Sequence, residues 1–162
     1  MIRIAKKEDL QAILSIYNEA IESRISTADT EYVTITEKTE WFVKHTPNAY
    51  PIFIWEVDGK VVAWVSISPY REGRKALRFT VEISYFVAKT HWGQRIASQL
   101  IEKMLERTEE LGYKSIFAII LEQNIVSINL LKKYGFSQWA FLPNIADFDG
   151  KECGQVYLGK RL

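Results

Sequence analysis

Apolar positions change their period along the chain, and each change marks an element. A short strand is predicted at "RIA", after which Leu10, Ile13, Leu14, Tyr17 and Ile21 recur at helical spacing and predict a helix over residues 8 to 22. "TEKTEWFVKH" (36 to 45) predicts a second, shorter helix with Thr36 as its cap. The runs "PIFIWEV" and "KVVAWVSIS" flank Asp58-Gly59, a pair that supplies the positive φ angles of a type I′ turn, and they predict a hairpin. A third strand, "RFTVEISYFV", follows a charged loop. Ile96, Leu100, Ile101, Met104 and Leu105 form an apolar stripe on a helix that runs to about Leu111 and stops at Gly112. "KSIFAIIL" is almost continuously apolar, the pattern of a strand covered on both faces. "NIVSINLLKKYGF" predicts a short helix stopped by glycine, and "SQWAFLPNIADF" and "CGQVYLGKR" predict two strands joined through Asp149-Gly150. The order β-α-α-β-β-β-α-β-α-β-β defines an α+β domain with a mixed sheet, and its central strand-helix-strand portion requires a right-handed crossover.

Composition narrows the classes. A chain of 162 residues suits a single domain spanning 1–162, long enough to bury about 70% of its unfolded surface. Apolar residues at 48% against 25% charged exclude a disordered chain. The net charge of +1, from 21 basic and 20 acidic residues, provides no global field for nucleic acid or an anionic membrane, so any anion site must be local. Cys153 is the only cysteine, so no internal disulfide can form. With a polar N-terminal stretch, "MIRIAKKEDL", and no apolar run of membrane-spanning length, a cytoplasmic protein is expected. His45, His91 and Cys153 lack zinc-ligand spacing, so no metal is expected.

The loop in "VAKTHWGQRIASQL" (87 to 100) is where chemistry is expected. A strand ending at Val87, a loop of about four residues and a helix starting between Trp92 and Arg95 would aim unpaired N–H groups past the strand end, which is an anion site by geometry. Gly93 permits close backbone approach, and Ala97 and Ser98 keep the first turn small. An ordinary strand-turn-helix unit has the same appearance.

The stretch "VEISYFVAKTHWGQRIASQL" resembles the acyl-CoA motif of the GNAT N-acyltransferase superfamily, Gln/Arg-x-x-Gly-x-Gly/Ala after a strand. Here the motif falls on Trp92 to Ala97, and only Ala97 meets its specified positions, since Trp92 replaces Gln or Arg and Arg95 replaces Gly. The rest of the chain carries the likeness further. "IYNEAI", "STADTEYVT", "YPIFIWEVDGKVVAWVSI", "RFTVE", "NIVSINLLKKYGF" and "DGK" follow the order and spacing of the phosphinothricin N-acetyltransferase-like branch over nearly all of the chain.

That resemblance implies a splayed sheet with acetyl-CoA as cosubstrate wedged between the strands ending near Val87 and Leu121. Backbone groups of Tyr85, Phe86 and Val87 would pair with the pantetheine arm, a bulge would free the Val87 N–H for the thioester oxygen, and Gly93, Gln94, Arg95, Ile96, Ala97 and Ser98 would hold the pyrophosphate. Asn124 would hydrogen-bond the cofactor, or is simply a helix cap. Arg95, read as a helical residue with negative φ, would pair with a phosphate or stand in solvent. Glu82 is implied as general base; alternation equally allows an ion pair with Arg78. Lys75, Ala76, Leu77 and Arg78 would form a wall of the acceptor site, with Arg78 clamping a substrate carboxylate. Leu131 stands where this branch has histidine, which removes one candidate acid. The implied reaction is N-acetylation of a small-molecule amine, foremost an L-amino-acid analogue. Antibiotic, polyamine and protein N-terminal acceptors, and a non-catalytic acyl-CoA sensor, stay open, as does a homodimer.

Overall fold

Alternation along the central strands divides the core in two. The computed structural model describes residues 1–162, and in it β2 (Ile52–Val57) sends Phe53 to one side and Ile52 and Ile54 to the other. β3 (Lys60–Pro69) does the same with Val65 and Trp64, as period-2 geometry requires. On the Phe53 side lies the larger cluster, built on α3 (Ile96–Glu110) and α4 (Ile125–Lys133) with Leu100, Ile101, Met104 and Leu131 fully buried. On the other side α1 (Leu10–Ser23) lays Ile13 and Ile16 against Trp64, and α2 (Ile35–Val43) brings Trp41 and Phe42 beside them.

The remaining strands are β1 (Ile2–Ile4), β4 (Thr80–Val87), β5 (Ser115–Leu121), β6 (Ser137–Phe148) and β7 (Lys151–Arg161), in the sheet order β1-β2-β3-β4-β5-β7-β6. All neighbours are antiparallel except β4 and β5, which α3 connects as a crossover. Both Asp-Gly pairs turn as expected: φ is 48° and 74° at Asp58 and Gly59, and 57° and 88° at Asp149 and Gly150. No helix is long and apolar enough to cross a membrane.

The predicted order of elements is the observed one, with local corrections. The cap of α2 is Thr34, not Thr36: its hydroxyl accepts from the Glu37 N–H while Glu37 Oε2 accepts from the Thr34 N–H, a reciprocal capping box. α3 begins at Ile96, after a 3₁₀ turn over Lys89–His91.

One departure from a regular sheet positions the site. β4 and β5 pair only at Thr80↔Ser115, Val81↔Ile116 and Glu82↔Phe117. Past Glu82 the two strands part, and Ile83 to Val87 keep β3 as their sole strand neighbour.

Candidate active site

The parting strands leave β4 with a free edge. Ala88 N–H donates to Val62 O, so in this antiparallel ladder the Val62–Ala88 and Trp64–Phe86 pairs exchange hydrogen bonds, and Ala63–Val87 and Val65–Tyr85 do not. The N–H groups of Tyr85 and Val87 therefore face the gap, whereas the Phe86 backbone is turned to β3. The β3–β4 register is unbroken from Pro69↔Val81 to Ala63↔Val87, so the bulge expected at Val87 is absent. Strand divergence exposes this edge instead.

A cavity of about 430 Å³ follows the free edge and takes in Tyr85, Phe86, Val87, Gly93 to Ser98 and Asn124. None of the backbone N–H groups from Gly93 to Ser98 donates to an acceptor within the protein, so all six are open to an anion at the start of α3. Arg95 corrects the expectation of a helical residue. It is the N-cap, with φ 60° and ψ 15°, in the left-handed region that glycine occupies without cost. The motif's glycine therefore has a backbone reason at this position, and the arginine is held there under strain. The Trp92 Nε1 donates to Val87 O at 2.8 Å and ties the loop to the end of β4. Lys89 N–H donates to Glu19 Oε2 at 3.0 Å, anchoring the same loop to α1. The Tyr85 hydroxyl is buried beside the Ser127 side chain without a hydrogen bond of good geometry, and burial pushes its pKa up to about 12. Asn124 caps α4, its Oδ1 accepting from the Ser127 N–H at 3.2 Å, which leaves its amide donors free.

These features fit an acyl-CoA: strand-edge N–H groups of Tyr85 and Val87 for the pantetheine arm, six N–H groups for the diphosphate, and a buried hydroxyl alongside.

A second cavity of about 400 Å³ opens on the α1–α2 side of the sheet, lined by Tyr17, Asp29, Glu37, Lys38, Trp41, Trp64, Ser66 and Glu82 among others. Ser26, Ser84, Phe86 and Ile119 line both cavities, so the two adjoin across β4. Glu82 stands where β4 and β5 part, and its side chain makes neither a hydrogen bond nor an ion pair with the protein. Burial alone raises it above the usual carboxylate range.

Arg78 is not its partner. The strand begins at Thr80, and residues Lys75–Leu77 coil into a 3₁₀ turn, so alternation does not extend back to Arg78. The Arg78 guanidinium lies over the Phe79 ring and donates to Lys75 O, and Lys75, Ala76, Leu77 and Arg78 form an exposed turn that lines neither cavity. Leu131 is fully buried, and Tyr134 packs against the main core, so α4 offers no proton donor from either position.

The residues that sequence reasoning missed lie on α1, α2 and β3. Tyr17, Trp41 and Trp64 surround the Lys38 ammonium at 4.3, 3.9 and 4.6 Å from their ring centroids. The sole signal available was Lys38 and Trp41 at helical spacing, one turn apart on a predicted helix.

With this geometry in place, comparison assigns the class. Residues 10–136 match the Acetyltransferase (GNAT) family, and the chain belongs to that family. It is an acetyl-CoA-dependent N-acetyltransferase. YwnH of Bacillus subtilis (strain 168), provisionally named a phosphinothricin acetyltransferase, is 38% identical over 162 residues, covering 99% of this chain and 98% of that one. An L-methionine sulfoximine/L-methionine sulfone acetyltransferase of Salmonella typhimurium is 28% identical over 89% of this chain and 84% of its own. The structure of a phosphinothricin acetyltransferase from Sinorhizobium meliloti in complex with acetyl-CoA matches with a TM-score of 0.94 at 25% identity, over 100% of this chain and 88% of that one.

Proposed function

We propose that this enzyme acetylates the primary amine of a small L-amino-acid analogue, of the phosphinothricin, methionine sulfoximine or methionine sulfone type, by direct transfer in a ternary complex. The observation that carries the reading is the unpartnered Glu82, at the point where the strands part and on the wall of a cavity adjoining the cofactor cleft. The relatives' names support the acceptor class.

Acetyl-CoA supplies the thioester, and the chain supplies position, proton transfer and local charge. The N–H groups of Gly93 to Ser98 hold the diphosphate, and the free edge at Tyr85 and Val87 aligns the pantetheine as an added strand. The Val87 N–H faces the gap and is the donor for the thioester oxygen as negative charge develops on it. Holding both reactants across β4 is worth up to roughly 7–11 kcal/mol of the barrier. Glu82 accepts a proton from the acceptor ammonium, directly or through a water, and burial, by raising its pKa, makes it a stronger proton acceptor than an exposed carboxylate. With Leu131 buried in the core, the departing thiolate takes its proton from water or from the amine. The homodimer reading draws on β6, which exposes Trp139, Phe141 and Ile145, and sedimentation of the purified chain checks it.

Thiol release from acetyl-CoA, followed with a panel of L-amino-acid analogues, polyamines and antibiotics, tests the proposal. Release with an amino-acid analogue is the expected result. Release only with a polyamine or an antibiotic would replace the acceptor class, and silence across the panel with acetyl-CoA still bound would favour an acyl-CoA sensor.

A further inference from the structure

Lys38 is the one lysine buried in this protein, 5% exposed, and it sits in the wall of the acceptor cavity. Its ammonium is enclosed by three aromatic rings, Tyr17 from α1, Trp41 from α2 and Trp64 from β3, each within 5 Å of its centroid. The ring faces offset part of the cost of removing this charge from water. They accept no conventional hydrogen bond, and the ammonium has no hydrogen-bond or ion-pair partner in the protein. A buried charge is ordinarily paired. This one is oriented and left open.

No carboxylate lining the same cavity makes a direct ion pair with it, although the Asp29 charge favours the ammonium through space. Asp29 Oδ2 accepts from the Tyr17 hydroxyl at 2.5 Å, and the same hydroxyl lies 3.0 Å from Thr27 Oγ1. Glu37 is committed to the Thr34 cap, through the backbone N–H and the hydroxyl. Only Glu82 among them is without a partner. The cavity thus offers one carboxylate, Glu82, and one ammonium, Lys38, without a direct hydrogen-bond or ion-pair partner, as a zwitterionic ligand would require.

We infer that Lys38 is the acceptor-side anchor, its caged ammonium binding the carboxylate of the amine acceptor while Glu82 attends the amino end. The inference rests on the proposed acceptor class and deepens it by naming the residue that selects for an anionic group. It also reassigns the clamp role expected of Arg78, which lies on an exposed turn outside both cavities. Burial draws Lys38 down to about 8, so the side chain is still mostly charged at neutral pH. The rings fix the stem so that little rotamer freedom is lost when the ligand arrives, and the selection should fall on binding rather than on chemistry.

Calorimetric titration of the full chain in the presence of CoA tests this, with L-methionine sulfone and its α-carboxamide as paired probes. The wild type is expected to bind the acid about 10- to 100-fold more tightly than the amide, the range for a charge-assisted hydrogen bond at a buried site. Lys38→Met, which keeps the stem in its aromatic box, should bind both probes with the amide's affinity, and Lys38→Gln should do the same if the methionine variant folds poorly. The acetyl-CoA Kd should stay within about twofold in both variants, because the cation lies on the opposite side of β4. Equal affinity of the wild type for the two probes, binding of neither, or a preference for the acid that survives in a folded Lys38 variant would overturn the inference. Binding is read without turnover, so the two readings separate. Rapid acetylation of amines lacking any anionic group would keep the transferase and remove the anchor. Tight, Lys38-dependent binding of the acid without thiol release would keep the anchor and remove the transfer reaction.

Discussion

Two groups of charges in this molecule are built in opposite ways. Near the N-terminus Arg3 donates to both oxygens of Asp9, at 2.6 and 2.8 Å, and to Glu56 Oε2 at 2.7 and 2.9 Å, so that β1, β2 and the start of α1 are tied by one guanidinium. In the acceptor cavity Glu82 and Lys38 are withdrawn from solvent with no partner. The hydrogen bond from Arg3 holds Asp9 below the usual carboxylate range, while burial moves Glu82 above it and Lys38 down to about 8. The first arrangement stabilises the fold. The second costs stability, and such groups persist where a ligand completes them.

Substitutions should separate the two regions by what each one loses. Glu82→Gln is expected to lower kcat by about 10²- to 10⁴-fold, the span of a positioned proton acceptor, with the acetyl-CoA Kd unchanged and the Tm unchanged or raised. Thiol-release kinetics and calorimetry on one preparation would show that split. Asp9→Asn should do the reverse: kcat stays as it is, while stability falls by about 1.5–3 kcal/mol in urea denaturation, the range for hydrogen bonds to a charged partner. The two carboxylates also have opposite signs in acid. Asp9 has a lowered folded pKa, so its contribution is present above the unfolded value and is lost as pH falls through the folded one. Glu82 has a raised folded pKa, so the native state binds the extra proton, and stability declines as pH rises from the unfolded value through the folded one. Acid unfolding of the two variants against the wild type would expose that opposition.

Smaller effects lie in the cofactor loop. Trp92→Phe removes the indole donor to Val87 O and should weaken acetyl-CoA binding by about 2- to 12-fold, one neutral hydrogen bond's worth, measured by calorimetry. Arg95→Gly relieves the left-handed backbone and should raise the Tm by about 1–3 °C in a scanning experiment.

The sequence carried nearly all of the fold, because periodicity and Asp-Gly turns are local signals. The cap of α2 was also legible, because Thr34 and Glu37 have capping-box spacing and Thr36 has no Glu or Gln three residues on. Arg78 was misplaced by extending strand alternation across two residues that do not belong to the strand. Nothing in the sequence marks the φ of 60° at Arg95, because a residue other than glycine predicts a negative φ there. The cofactor loop and Glu82 stood out through family resemblance, whereas the cage around Lys38 did not. Its rings come from positions 17, 41 and 64, and only folding of α1, α2 and β3 onto one another brings them together. Pairwise spacing within one element cannot encode such a site.

The most direct test of the account is the pH dependence of kcat/KM for acetyl transfer to L-methionine sulfone, in the wild type and in Glu82→Gln. The account predicts a loss of rate on the acid side in the wild type, with a midpoint above the ordinary glutamate value of 4.5, and a slow Glu82→Gln profile from which that limb is missing while the ionisations of the acceptor amine and of Lys38 remain. A Glu82→Gln enzyme that keeps both the wild-type rate and the wild-type acid limb would contradict it.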